Sequence, residues 1–167
     1  MAISPKGIIA TQVMTHNFKK PDFVRFFNEI NLPNGAVILM DNLKAHHSVV
    51  VKEVLETRGF TPLYTPPYSP RCNPIEKVFG KIKPLYRHKC SELKSSNKDD
   101  FSNVFAKIIE EHKLTSFDPT FKNTLKFIKE TLSNIETDPN FQFHGYDVSS
   151  FIRLHQEDSL SINVVAG

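Results

Sequence analysis

A short apolar run that ends in a carboxylate constrains this chain more than any other feature. Residues 36–40 read Ala-Val-Ile-Leu-Met, and Asp41-Asn42 follow directly. An uninterrupted apolar run of this length, preceded by Asn34-Gly35, predicts a strand buried on both faces, as in the centre of a parallel sheet. Open α/β sheets bind their ligands beyond the carboxyl ends of such strands. Asp41 therefore stands where a functional group is expected.

The segment after Asp41 predicts a strand–helix–strand unit. The pattern over residues 47–58 is that of an amphipathic helix stopped by Gly59, and residues 60–65 form a short second strand. Two such strands in one sheet imply a right-handed crossover and parallel pairing. The carboxyl ends of both strands then meet at one edge of the sheet.

A second carboxylate, Glu76, follows Asp41 after 34 intervening residues. A rigid, extended connection over residues 66–70 precedes it. Asn73 is then expected to cap a helix that begins at Pro74, and Pro84 is expected to break or kink that helix. The chain can thus fold back and bring the two acids together.

The rest of the chain predicts one domain of α/β class. Its length of 167 residues, with 40% hydrophobic and 23% charged residues, is typical of one soluble globular domain. No apolar run is long enough to span a membrane, and no secretion signal opens the chain. Cys72 and Cys90 form no disulfide framework and suggest a reducing compartment. Further patterns predict a strand over residues 7–15, a helix beginning at residue 20, and helices over residues 101–114 and from residue 119 onward. We expect one partial domain over residues 1–137 and an irregular tail over residues 138–167.

The chemistry of Asp41 and Glu76 leaves alternatives open. Two converging carboxylates suit Mg²⁺ or Mn²⁺, and two such ions can drive phosphodiester chemistry. Asp41-Asn42 also suits a turn at a strand end, and Asn73 with Glu76 suits a helix capping box. The Pro67–Pro70 segment also fits a minimal ligand pattern for small adaptor domains.

Taken together, these motifs resemble the carboxyl half of a Tc/mariner-type transposase of the DDE endonuclease superfamily. That family has a strand ending in Asp-Asn, a His shortly after it, and a Pro-Pro-Tyr-Ser-Pro run leading into Asn-Pro-Ile-Glu. In this chain these are residues 41–42, His46, residues 66–70 and residues 73–76. Two departures are Arg71-Cys72, where the family usually has Asp-Leu, and Phe79, where it has Trp.

The resemblance implies a ribonuclease-H-like α/β fold, truncated at its amino terminus, with flanking helices. It implies that Asp41 and Glu76 are catalytic and bind Mg²⁺ or Mn²⁺. Asn42, His46 and Asn73 are expected to support the metal-binding residues or to contact DNA. DNA phosphates are expected to meet a basic stretch over residues 77–94, although a solvated helix face explains that stretch equally well. Its proposed DNA-binding residues are Lys77, Lys81, Lys83 and Arg87.

The family's catalytic set has three acids, and the first is not apparent here. Before Asp41 the only acids are Asp22 and Glu29, and neither follows a buried strand. We therefore expect a fragment or degenerate copy of a transposase. The alternative is a catalytically inactive module that binds DNA, forms a homodimer or joins an intact transposase subunit. No membrane partner is expected, and the location is nuclear in a eukaryote and otherwise cytoplasmic.

One expectation concerns the sheet itself. In the family, the strand bearing the first Asp lies beside the strand that ends at Asp41. If that strand is absent, the flank of residues 36–40 is open, and an open edge invites pairing with another chain. We expect residues 7–15 to fill this flank within one chain, and self-association in solution.

Overall fold

The computed structural model describes residues 1–14, 16–93, 100–111, 116–137 and 162–165. Within these residues, five strands form one mixed sheet in the order β2-β1-β5-β3-β4. The strands are β1 (Ala2–Ser4), β2 (Gly7–Ala10), β3 (Val37–Met40), β4 (Thr61–Tyr64) and β5 (Ile162–Val165). The predicted α/β class is therefore confirmed.

The strand–helix–strand unit is present as the sequence predicts. Helix α2 (Val49–Thr57) joins β3 to β4, and the two strands pair in parallel, with Val37 opposite Thr61 and Met40 opposite Tyr64. Every residue of β3 is buried. The Gly59 backbone has φ +65°, a conformation that glycine adopts without strain, and it turns the chain from α2 into β4.

The two faces of β3 pack against different helices. Ile38 and Met40 join a buried cluster with α1 (Lys20–Glu29) and α2, to which α1 contributes Phe23, Phe26 and Phe27. Val37 and Leu39 join a second cluster that includes residues of α3 (Pro74–Leu93) and α5 (Asp118–Thr137). The sheet is therefore covered on both sides, which is why β3 has no polar alternation.

Helix α3 begins at Pro74 as predicted but does not break at Pro84. It continues through this proline to Leu93. A proline inside a helix removes one hydrogen bond and costs roughly 3 kcal/mol. Burial of Ile75, Val78 and Ile82 in the core offsets this cost, and helix α4 (Asp100–Glu111) packs beside α3.

The expectation for the open flank of β3 is wrong in its choice of strand. A two-residue loop joins β1 to β2, and the register places Ser4 opposite Gly7, so β2 pairs with β1 at the far edge of the sheet. The flank is filled by β5, which pairs in parallel with β3 and antiparallel with β1. The open edge on which the expectation of self-association rested is thus closed.

The same strand corrects the expectation of an irregular tail over residues 138–167. Residues 162–165 are an interior strand of the sheet. Their sequence, Ile-Asn-Val-Val, is rich in the β-branched residues that favour strands. The remaining residues of that predicted tail lie outside the described ones.

Candidate functional site

An open cleft lies at the carboxyl ends of β3 and β4 and contains both predicted acids. Its volume is about 370 Å³. Asp41, Asn42 and Leu43 line it after β3, residues 65–70 line it after β4, and Asn73 and Glu76 line it from the start of α3. We call it the Asp41–Glu76 cleft. Carboxyl ends of neighbouring parallel strands are the expected place for a ligand site in such a sheet.

Asp41 is oriented by a histidine that follows it by five residues. The His46 Nδ1 lies 3.0 Å from the Asp41 carbonyl oxygen and 2.9 Å from the Asp41 Oδ1. Both oxygens are acceptors, so Nδ1 carries the proton, and its aligned hydrogen bond goes to the carbonyl. The hydrogen-bonding contact with His46 lowers the pKa of Asp41 below its ordinary value of 3.8, against the opposite effect of partial burial. Asp41 is therefore a carboxylate at neutral pH.

His46 is itself fixed by the core. Its side chain is fully buried, and its ring meets that of Phe23 edge to face, with centroids 4.7 Å apart. A backbone hydrogen bond from the His46 N–H to the Leu43 carbonyl, 2.9 Å long, closes the turn that brings the ring back to Asp41. Half of the Asp41 side chain remains exposed. The buried Oδ1 is thus held in place while the rest of the carboxylate faces the cleft.

The start of α3 presents Glu76 to the cleft without using it as a cap. The Asn73 Oδ1 accepts from the Ile75 N–H at 3.4 Å, so Asn73 caps the helix as predicted. The Asn73 N–H donates to the Pro70 carbonyl at 3.1 Å. In a complete capping box the Glu76 carboxylate would accept from the Asn73 N–H, but here the Pro70 carbonyl takes that place. Glu76 is exposed, and its carboxylate lines the cleft.

A second histidine, His47, which the sequence pattern does not single out, supports Asn42. The His47 Nε2 lies 2.5 Å from the Asn42 Oδ1, and its ring stacks on Tyr64 with centroids 4.1 Å apart. Burial and the nearby charge of Lys52 lower the pKa of His47. The imidazole is therefore neutral at pH 7, with Nε2–H as donor to Asn42. The stack with Tyr64 depends on the parallel pairing of β3 with β4, which the sequence near His47 does not encode.

The predicted DNA-binding residues lie on the solvent side of α3. Lys77, Lys81, Lys83 and Arg87 are all exposed. At the helical period, Lys83 and Arg87 lie 7 and 11 positions after Glu76 and share its line along the helix. Lys77 and Lys81 form the neighbouring line. Lys89, by contrast, forms an ion pair with Glu111 of α4 at 2.9 Å. The exposed charges thus lead away from the cleft along one helix.

The two earlier acids do not contribute to the cleft. Asp22 accepts from the Lys19 N–H at 2.9 Å, closing the first turn of α1, and also contacts Arg25 at 3.7 Å. Glu29 lies at the other end of α1 and is exposed. Asp22 therefore caps α1, and Glu29 lies on the solvent-exposed surface of that helix.

The donor set fits a divalent ion only in part. Mg²⁺ is commonly held by one or two carboxylates with water and phosphate oxygens, and Asp41 with Glu76 supplies that minimum. Across the described ranges, no group of three His, Cys, Asp or Glu side chains is placed to hold a metal ion. The described residues thus supply two carboxylates at one cleft and do not assemble a three-acid set.

The fold and cleft define an α/β domain whose paired carboxylates lie beyond the ends of parallel strands. The model of the DDE superfamily endonuclease family matches residues 1–98. This chain therefore belongs to that family, whose members act on DNA and typically use divalent metal ions. No curated protein and no solved structure matches the chain. Among the helices that the described residues form, none has the length and apolar character needed to cross a membrane.

Proposed function

We propose that the chain is a domain of a Tc/mariner-type DDE transposase with a ribonuclease-H-like fold. The subtype rests on the motif at residues 41–42, 66–70 and 73–76. The fold assignment is supported by the mixed sheet, in which a central strand is parallel to β3 and antiparallel to β1, with helices on both faces.

The observation that carries the proposal is the convergence of Asp41 and Glu76 on one cleft. Asp41 is held as an oriented carboxylate by the buried His46, and Glu76 is released from helix capping by Pro70. Two carboxylates that line one cleft create a negative potential there, which attracts a cation. When bound, Mg²⁺ or Mn²⁺ supplies Lewis-acid activation of a DNA phosphate. Lys83 and Arg87 would hold the flanking backbone by charge.

We further propose that the chain binds DNA and metal but does not cut DNA by itself. The full reaction in this family draws on three acids, and the Asp41–Glu76 cleft supplies two. A fragment or degenerate copy would therefore act as a DNA-binding or transposase-interacting module. In a mixed complex, an intact subunit would provide the complete site.

Metal binding tests the site. In a titration of ¹⁵N-labelled protein, Mn²⁺ should broaden the amide resonances of Asn42 and Tyr68 at lower Mn²⁺ concentrations than those of α5. Asp41→Asn and Glu76→Gln should each abolish this order of broadening. Glu29→Gln, which removes an exposed acid outside the cleft, is the matched control and should leave it unchanged. Selective broadening that survives both cleft substitutions would refute the assignment.

Cleavage tests the level of activity. With Mg²⁺ and supercoiled plasmid, the purified chain should produce no nicked circle above a metal-free control, because a two-carboxylate site leaves the metals under-coordinated. Robust nicking that disappears in both Asp41→Asn and Glu76→Gln would contradict the inactive module and show an active endonuclease.

A further inference from the structure

Tyr68 is the most exposed large apolar side chain in the described part of the chain. Its relative exposure is 81%. It lies in the connection between β4 and α3 and lines the Asp41–Glu76 cleft. An aromatic ring loses more by exposure to water than most side chains. Most of the ring surface is therefore accessible to a ligand that enters the cleft.

The backbone at Tyr68 is also unfavourable. Its φ is +53°, and among non-glycine residues of the described ranges Tyr68 alone has a positive φ. A bulky residue in this left-handed region is strained, and such residues cluster at functional sites. Glycine or asparagine would turn the chain here at lower cost.

The connection around Tyr68 is rigid. Pro66, Pro67 and Pro70 restrict the backbone. Ser69 is buried, and its hydroxyl donates to the Pro67 carbonyl at 2.9 Å. The Ser69 carbonyl in turn accepts from the Cys72 N–H at 2.9 Å. The loop thus fixes the position of the Tyr68 backbone before any ligand arrives, which lowers the entropy cost of binding.

We propose that Tyr68 is a stacking platform for an unpaired nucleobase next to the phosphate held in the Asp41–Glu76 cleft. A rigid aromatic face beside a phosphate-binding cleft is the arrangement by which proteins hold single-stranded nucleic acid without reading its sequence. The cleft carboxylates accept a phosphate only through a bridging cation and repel any further anionic group at the ring, whereas a base is neutral and has a π-face. This inference rests on the proposed function, since it takes DNA as the ligand.

Two DNA probes and a set of variants of the full chain, all measured with Mg²⁺ present, test the proposal. One probe is a blunt duplex, and the other is the same duplex with a short 3′ overhang containing 2-aminopurine, whose fluorescence falls on stacking. The variants are Tyr68→Phe, Tyr68→Ala and Tyr68→Gly. Val49→Ala is the control, because Val49 is a 69% exposed apolar residue that does not line the cleft.

We expect Tyr68→Ala and Tyr68→Gly to weaken binding of the overhang probe about 5- to 100-fold and to abolish the quenching, as base–aromatic stacking predicts. Tyr68→Phe and Val49→Ala should bind both probes as the wild type does. Tyr68→Gly should raise the melting temperature by about 2–4 °C, because it relieves the strain at φ +53°. This gain separates the loss of stacking from loss of folding.

The outcomes are distinct. Equal overhang binding by the wild type and Tyr68→Ala overturns the stacking role and leaves the proposed DNA function standing. Equal loss on both probes also overturns it, because a stacking residue must act on the unpaired base. Failure of the wild type to bind either probe at low salt overturns the proposed function and the stacking role together.

Discussion

Replacing His46 with phenylalanine tests how the cleft holds Asp41. The variant keeps an aromatic ring against Phe23 and removes the Nδ1 donor, which lies 2.9 Å from the Asp41 Oδ1 and 3.0 Å from its carbonyl oxygen. The aligned hydrogen bond goes to the neutral carbonyl and contributes about 0.5–1.5 kcal/mol net, and the close contact with the carboxylate adds a charge-assisted part, for which a full bond contributes about 1.5–3 kcal/mol. The Asp41 side chain is 48% exposed, so water replaces part of this interaction, and we expect a loss of about 1–2 kcal/mol.

The pH dependence of this loss follows from the direction of the pKa shift. The pKa of Asp41 is lowered in the folded state, chiefly by His46. The stabilisation is therefore complete above the unfolded pKa of 3.8 and disappears as the pH falls through the lower, folded value. The stability difference between the wild type and His46→Phe should be largest near pH 7 and smaller near pH 3.

Urea unfolding followed by circular dichroism measures this difference. Phenylalanine at a fully buried site also causes repacking, so the same substitution is made in an Asp41→Asn background, and the double-mutant cycle subtracts that shared cost. His47→Phe is the matched control, because His47 stacks on Tyr64 and should show no pH-dependent coupling to Asp41. A coupling energy near zero at pH 7, or an Asp41 carboxyl ¹³C titration unchanged by His46→Phe, would refute the reasoning.

Two further predictions concern the basic helix and the central strand. Replacing Lys81, Lys83 and Arg87 with alanine should reduce the slope of log K against log salt for duplex binding by about 2–3 units, because each removed positive charge means that one counterion fewer is released from the DNA. Alanine at Lys122 and Lys126 of α5 is the control. An unchanged slope would show that the basic stretch is only a solvated helix face. Deleting residues 162–167 should abolish cooperative melting, because β5 aligns four residue pairs with β3 and two with β1. At roughly one backbone hydrogen bond per aligned pair and about 1 kcal/mol per bond, the loss is about 6 kcal/mol, which is comparable to the whole stability of a small domain. A synthetic peptide of residues 162–167 should restore the transition. An unaltered monomeric melt after the deletion would contradict the role of β5.

The sequence was informative where the deciding contacts are local. The run before Asp41 predicts β3 because burial on both faces requires continuous apolar residues. The helix from Pro74 is predicted because Asn73 supplies its cap within two positions. The motif from Asp41 to Glu76 placed both acids in the same cleft for the same reason, since one crossover unit connects them.

The sequence failed where distant contacts compete with local ones. Asn73 and Glu76 suggest a capping box, in which the Glu76 carboxylate accepts from the Asn73 N–H. That N–H donates to the Pro70 carbonyl, so the Glu76 carboxylate is available to the cleft. Pro84 is a strong local signal for a helix end, yet packing of α3 on the core outweighs it. The pairing of β5 with β3 joins segments that are far apart in the sequence. A four-residue strand has too short a pattern to be recognised from the sequence alone.

The central position of β5 also sets the order in which the molecule can form. Leu39 pairs with Val164, about 125 residues later, so closing the sheet requires a contact of very high sequence separation, which slows folding. The β1–β2 hairpin and the β3–α2–β4 unit can form early, because their contacts are close in sequence. During synthesis on a ribosome, the edges of β1 and β3 that pair with β5 would stay unpaired until residues 162–165 had emerged. During that interval the nascent chain is most exposed to chaperones and to mispairing with its neighbours.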